Sequence, residues 1–477
     1  MKKTFILFTL LIKISFATAQ QIPSYDELKI AINESSLPLI NITVDIANVT
    51  KEQYIPAEIE ITDPLKRTDN KVTAAFRCKI KYRGTSSIRY EKKSFAVKLL
   101  DDNGKSLDAP ILGIREDDSW ILNAMAIDRI RMRDRLLFDV WNDLSSTPYN
   151  TDYENRNGTK GYFVEVFLNG EYHGLYCMTD KINRKLLGLK KIKEETNGTI
   201  TTRGLLLKCN AWSTLAGYND EPMDTEEWNS WELQYPDDYP SADTYMPLAR
   251  LIDFCTGTSS DVFKAEYQQH FYKQNLMDYH IFYLTFNIFD NLMKNTFLST
   301  VDLTKKERFM ITPWDLDCSL GGSWDGVHAD YLIENEDISA NPFARLWQEN
   351  TDNYKAELCS LWQKTSNAIF SEEAIAKRMS DYAEAFVKSG AWEREYKKWN
   401  NNPVVLTEDP KEELDYINEW FRSRHTTLDN YFNSITGILT LHSNSIGAKK
   451  RYNLSGQKVD NNYKGIVIEN GRLFIRK

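Results

Sequence analysis

Apolar and polar positions change period four times along the chain, and each change predicts a switch in the kind of element. From residue 22 to about 180 the apolar residues cluster in short β-branched runs or alternate. Leu37–Val44 and Ile55–Ile61 are such runs, bounded by polar turns, and predict strands. Arg77–Leu100 continues in strands around the loop Arg83-Gly84-Thr85-Ser86-Ser87, and Asp101-Asp102-Asn103-Gly104 predicts a tight turn. Asp128–Leu144 has a helical period instead, with Ile130, Leu136, Leu137, Val140 and Trp141 on one face. Tyr162–Met178 returns to alternation around an Asn169-Gly170 turn. From Ser241 the period is helical in five stretches: 242–254, 261–289, 342–370, 372–388 and 411–431. Gly198–Asp238, rich in Asn, Thr, Asp and Trp, reads as loops or an insertion. Residues 437–477 are short apolar runs with Ser-Gly and Asn-Gly turns, a small β appendage.

This order predicts an α+β fold with a β-rich N-terminal part, a helical C-terminal part and a small C-terminal β module. The expected boundaries are a leader at 1–19, a β-rich segment at 22–75, a main domain at 76–432 to which that segment belongs, and the module at 437–477. Lys2 and Lys3, an apolar run from Phe5 to Phe16 and the small-x-small step Ala17-Thr18-Ala19 give the leader the pattern of a cleaved signal peptide. The run is too short to span a bilayer, so the expectation is a secreted or cell-surface protein without a transmembrane segment.

Charge narrows the partners. The formal net charge is −9, and loss of the leader lysines makes it more negative, so nucleic acid is not an expected partner. The six cysteines are scattered without a Cys-x-x-Cys pair, which argues against zinc and leaves disulfides and buried thiols as equal alternatives. None of the six histidines sits beside a Gly-x-Ser-x-Gly elbow, which removes a Ser/His/Asp hydrolase. His280 reads as a packed or surface imidazole, and His328 as a residue near enough to the Asp315 loop to touch substrate.

The sharpest chemistry lies between 287 and 322. Asp290 with Asn295 five residues later has the spacing of a kinase catalytic loop, where the Asp orients a hydroxyl and the Asn reaches a metal. A strand, Arg308–Ile311, then delivers Asp315-Leu316-Asp317 with Gly321 and Gly322 close behind, a setting suited to Mg²⁺ on phosphate oxygens. Upstream, Phe95-Ala96-Val97-Lys98 resembles the strand lysine that neutralises ATP phosphates, and Arg83, Gly84 and Ser86 lie in a loop able to cap phosphates.

Several ordered blocks together resemble the spore-coat protein H (CotH) kinase family. They are Arg83-Gly84-Thr85-Ser86-Ser87 with Lys92-Lys93-Ser94-Phe95; Trp120-Ile121-Leu122-Asn123-Ala124 with Asp128 and Arg133; Asn169-Gly170-Glu171-Tyr172-His173-Gly174-Leu175-Tyr176; and Asp290, Lys294, Asn295 with Pro313-Trp314-Asp315-Leu316-Asp317. The resemblance runs from about Leu37 to Tyr431. It implies an atypical two-lobe kinase-like fold that binds ATP and Mg²⁺, or Mn²⁺, and phosphorylates protein Ser/Thr. It implies Asp290 as acid/base, and Asn295 and Asp315 as metal ligands with Asp317 as a further candidate. Lys98 or Lys93 would hold the nucleotide phosphates, and Arg133 would bind phosphate or brace the lobe by pairing with a carboxylate. Where the family carries a Glu after the hairpin this chain has Asp180, whose shorter reach puts a lysine partner, and activity, in question. The tail from Tyr452 to Lys477 resembles C-terminal modules handled by type IX secretion machinery. Two other readings compete: a catalytically silent surface or adhesin-type protein with an aromatic binding face, and a hydrolase pairing Glu165 with Asp315.

Overall fold

A computed structural model describes residues 21–210 apart from 195 and 199, 230–237, 242–334 apart from 293, 340–436, and in the tail 451–476 apart from 454, 455, 461, 462, 470 and 471. The leader at 1–19 lies outside the described residues.

The β-branched runs close into a barrel. Its strands are β1 (Leu39–Thr43), β2 (Ile55–Thr62), β3 (Thr73–Arg83), β4 (Ser94–Leu100), β5 (Ser119–Asn123), β6 (Gly161–Leu168) and β7 (Glu171–Asp180), in the order β1-β2-β3-β4-β5-β7-β6. All pairs are antiparallel except β1 with β6, the parallel seam that closes the ring. Alternation puts Ile40, Ile61, Ile80, Val97, Val164 and Met178 inside, where they are buried together. The β6–β7 turn is Asn169-Gly170, both at positive φ (52° and 85°), as the tightest hairpin turn requires. The Asn169 side chain also exchanges hydrogen bonds with both Val44 backbone groups, each 2.9 Å, which sets the register of β6 beside β1.

The segment 22–75 is not purely β. Helix α1 (Tyr25–Ala31) precedes the barrel, held by a capping box in which Ser24 and Glu27 satisfy each other's backbone N–H groups. Helix α2 spans Arg133–Leu144 and starts later than Asp128, because the Asp128 carboxylate accepts the Met132 and Arg133 N–H groups, each at 2.7 Å, and Arg131 turns at φ 58°.

A second sheet follows the barrel. After a small two-stranded sheet, β8 (Lys193–Glu194) with β9 (Ile200–Thr201), come β10 (Leu205–Cys209) and β11 (Trp231–Tyr235), then β12 (Thr296–Thr300) and β13 (Met310–Pro313), in the antiparallel order β11-β10-β12-β13. Part of 198–238 is therefore strand and not loop; residues 211–229 are outside the described set.

The helices that follow are α3 (Met246–Gly257), α4 (Ser260–His270), α5 (Lys273–Phe286), α6 (Phe343–Glu349), α7 (Tyr354–Ser366), α8 (Glu372–Lys388), α9 (Ala391–Trp399) and α10 (Lys411–Thr436); α5 packs on β13 of this sheet, and α9 on β7 of the barrel. The stretch 261–289 breaks in two because Phe271 leaves the helix to bridge Phe309. The stretch 342–370 breaks where Asn350, Asp352 and Asn353 take positive φ. Every residue of α5 from Asn275 to Phe286 is buried, so this helix is a core element and not an amphipathic one. In the tail, β14 (Arg451–Asn453), β15 (Gly465–Glu469) and β16 (Arg472–Arg476) form an antiparallel sheet. No described helix is long and apolar enough to cross a membrane. All six thiols are free and buried.

Candidate active site

The C-terminal end of α5 sets one side of a cavity. Asn287 terminates the helix at φ 45°, and the chain turns through Phe289–Asn291. Asn291 then staples two loops, donating its side-chain amide to the carbonyls of Asn295 (3.0 Å) and Trp314 (2.6 Å). Backbone bonds from Trp314 to Asn295 and from Asn295 to Cys209, both 2.9 Å, complete the frame. Asp290, Asn295 and Asp315 are thereby brought to one wall of the cavity, with Asp317 beside them. Asn295 and Asp315 both sit in the left-handed region, φ 53° and 59°, a conformation that costs these residues energy and is held by the surrounding bonds.

The carboxylates crowd one another. Asp290 Oδ2 accepts hydrogen bonds from Asn295 Nδ2 and Lys294 Nζ, both at 2.9 Å. Burial, with Asp315 adding, still raises the Asp290 pKa. Behind it Asp134 of α2 accepts the Leu316 N–H (2.9 Å) and the Asn123 amide (3.0 Å). Burial, then the neighbouring Asp315, pushes Asp134 up to about 6. Burial and the charges of Asp315 and Asp134 push Asp317 well above the carboxylate range. Buried like charges of this kind favour uptake of a cation. Among the described residues, the three carboxylates within 4.8 Å of one another are a different set, Asp108, Asp117 and Asp118, none of which lines this cavity.

Cations face them. Arg83, the last residue of β3, lays its guanidinium over the Trp314 ring at 5.2 Å, pushed down by burial while Asp315 and Asp134 favour its charge. The next residue is Gly84 at φ 116°, where a Cβ would stand 2.1 Å from Ser87 Oγ, so the turn into the Thr85–Ser87 loop needs glycine. Lys208 of β10 and Lys181, just past β7, reach the same space; burial and then the neighbouring cations lower both pKa values. The cavity has a volume of about 760 Å³, and its inner wall is Val97, Trp120, Ile121 and Ile182.

Of the other expected residues, some line the cavity with this group and some stand apart from it. Gly84 and Ser86 line the cavity, Ser86 as an exposed loop residue. Lys98 stands outside the lining, its ammonium 5.5 Å from the Tyr54 ring. Lys93 turns back to its own loop, donating to the carbonyls of Ile88 (3.0 Å) and Tyr90 (2.6 Å). Lys92 is buried against Glu395 at 2.5 Å. Arg133 stands outside the lining and pairs with Asp128 (2.6 Å) and Glu413 (2.9 Å). Among the described residues Asp180 meets no lysine side chain; it accepts from Arg115 and Arg156, both at 2.9 Å, and from the Lys160 N–H. Glu165 is held by two 2.7 Å bonds from Arg394, outside the cavity lining and not paired with Asp315. His328 contacts Glu413 at 3.1 Å and stacks on Tyr416, and His280 is buried with Nδ1 2.9 Å from the Tyr354 hydroxyl. Lys181 and Lys208 were not expected from sequence; the one hint was a lysine inside the otherwise apolar run Leu205–Cys209.

A protein-family model described as CotH kinase protein matches residues 80–428, a span that includes every residue of this cavity from Arg83 to Asp317. No curated protein matches the chain.

Proposed function

The chain belongs to the CotH kinase family, and from that premise we propose that it is an ATP-dependent phosphotransferase, using Mg²⁺ or Mn²⁺, that modifies Ser or Thr of a protein substrate. The observation that carries the reading is the single cavity in which Asp290, Asn295, Asp315 and Asp317 confront Arg83, Lys181 and Lys208. In this reading the barrel and the helical part act as the two lobes of a kinase-like fold. A cavity of about 760 Å³ with an apolar inner wall suits a nucleotide base, and the cations suit its phosphates. Asn295 Oδ1 and the carboxylates of Asp315 and Asp317 would hold the metal, which when bound neutralises charge on the phosphate oxygens.

Asp290 accepts the proton of the acceptor hydroxyl. Its Oδ2 is fixed by Lys294 and Asn295, which leaves Oδ1 for the hydroxyl. Arg83, Lys181 and Lys208 orient the phosphate chain, and Arg83 is itself oriented by the Trp314 ring. The same proposal includes export through the leader at 1–19 and handling of the tail by type IX machinery; both rest on sequence pattern alone.

The test is transfer from labelled ATP by the chain 20–477, with Mg²⁺ or Mn²⁺, beside Asp290→Ala and Asp315→Ala. Label on the protein or on a Ser-rich acceptor, lost in both variants, is expected. No label and no nucleotide binding in the unaltered chain would overturn the reading and favour a silent surface-binding protein.

A further inference from the structure

The outer face of β3 and β4 carries charge that the nucleotide site does not use. Lys79 of β3 is paired directly across from Lys98 of β4, and Lys81 follows one step along the same face. Like charges placed opposite each other across strands are destabilising. All three ammonium groups gather over one ring: Tyr54 has Lys81 at 5.1 Å, Lys98 at 5.5 Å and Lys79 at 5.6 Å from its centroid. Among the described residues, none of the three has a carboxylate oxygen within 4.0 Å. Cation–π contact offsets part of the repulsion and Asp118, which acts on Tyr54, adds a single negative charge, yet no ion pair among the described residues closes on the three lysines.

The position of this cluster points to what would neutralise it. Tyr54 and Lys81 line the cavity, whereas Lys79 and Lys98 lie beyond it, so the row starts at the mouth and runs outward. Inside, Lys181 is depressed partly by Lys98, which places the two sets in electrostatic contact. Arg83, Lys181 and Lys208 already supply cations for phosphates inside. The outer lysines therefore face whatever enters past Tyr54. The chain as a whole is acidic, so a polyanion is repelled in general and attracted here in particular.

We propose that Tyr54, Lys79, Lys81 and Lys98 dock the acidic flank of the acceptor protein, so that the substrates are Ser or Thr residues set among Asp and Glu. This rests on the phosphotransferase reading, and the experiment separates the two. The chain 20–477 and its Lys79→Ala/Lys98→Ala double variant are compared; Lys81 stays intact, because it lines the nucleotide cavity, whereas Lys79 and Lys98 lie outside it. Transfer from labelled ATP is followed to Ser peptides with acidic, neutral or basic flanks. The acidic peptide is expected to be preferred, and its KM to rise about tenfold in the double variant with the KM for ATP unchanged. Anisotropy of a labelled acidic peptide, measured without ATP, is a second readout that does not need turnover. Binding that the double variant loses upholds the docking surface even where transfer is absent. Equal use of all three peptides would overturn it. So would weakened ATP affinity in the double variant, or binding of a sulfated polysaccharide with no discrimination among peptides.

Discussion

Two regions of this protein bury charge, and they do it in opposite ways. Where α9 and α10 meet the barrel, each charge has its complement. Glu395 of α9 accepts from Lys92 (2.5 Å), Arg131 (2.7 Å) and the Leu175 N–H (2.7 Å), all of them buried. Burial pushes Lys92 down to about 7, while the two cations keep Glu395 below the usual carboxylate range and charged. Glu413 of α10 is likewise shared by Arg133, Arg129 and His328. In the cavity the reverse holds: Asp134, Asp317 and Asp290 are all raised, each in part by Asp315. Balanced charge ties the helical part to the barrel; unbalanced charge marks the place prepared for a ligand. Gly174 belongs to the first region, since at φ 146° its missing Cβ would stand 2.8 Å from Trp399 and 2.9 Å from both Glu395 and Lys92.

The contrast is open to breaking, most strongly at Glu395. Replacing it with Gln strands two buried cations, and chemical denaturation should register a loss of roughly 3–5 kcal/mol. A loss below about 1 kcal/mol would show that the clamp is not load-carrying for the fold. Next comes the pH dependence of Glu413. Its carboxyl is lowered from 4.5 to about 2, first opposed by burial and then overcome by His328 and Arg133. A depressed carboxyl contributes stability above its unfolded value and loses it as pH falls through the folded value. The contribution is about 3 kcal/mol, present above pH 4.5 and lost between pH 4.5 and 2. Urea titrations across that window should be flatter for Glu413→Gln than for the unaltered chain. In the cavity, Asp317→Asn removes one member of a repelling group. Stability should hold or rise by up to about 1 kcal/mol, while Mg²⁺-dependent nucleotide binding disappears. A destabilised Asp317→Asn protein would place Asp317 with the clamp and not with the site. Smallest of all, because the thiols are free, reducing agent should leave the melting temperature unmoved, and thiol titration of the unfolded chain should count six.

Much of this was legible in the sequence where the signal is local. The Asn169-Gly170 hairpin and the helix at 372–388 follow from turn chemistry and period alone. Two short helices carried signals that went unread: Ser24 and Glu27 at the spacing of a capping box before α1, and Trp392, Tyr396 and Trp399 on one face of α9. The long helical stretches were joined too far, because a switch to extended backbone at Phe271 depends on a partner, Phe309, far along the chain. The site divides the same way. Asp290, Asn295, Asp315 and Asp317 come from two neighbouring loops, and their spacing shows in the sequence. Lys181 and Lys208 come from different sheets and meet only when the chain is folded. Lys92 and Lys93 differ by one step in sequence, yet one enters the clamp and the other its own loop, a distinction that the folded turn before β4 makes and composition cannot.

Helix α10 has a mechanical consequence. Near its start Glu413 grips Arg133 and His328, the latter in the loop that follows Asp317. Further along, the buried Arg424 donates to the Leu284 carbonyl in the last turn of α5, shortly before Asp290. The two grips lie about 16 Å apart along one rigid rod. A shift of this rod along its axis is carried to the His328 loop and to the end of α5 at once. Movement of α10 would then reach the two halves of the cavity as a single displacement, like a splint drawn across a joint.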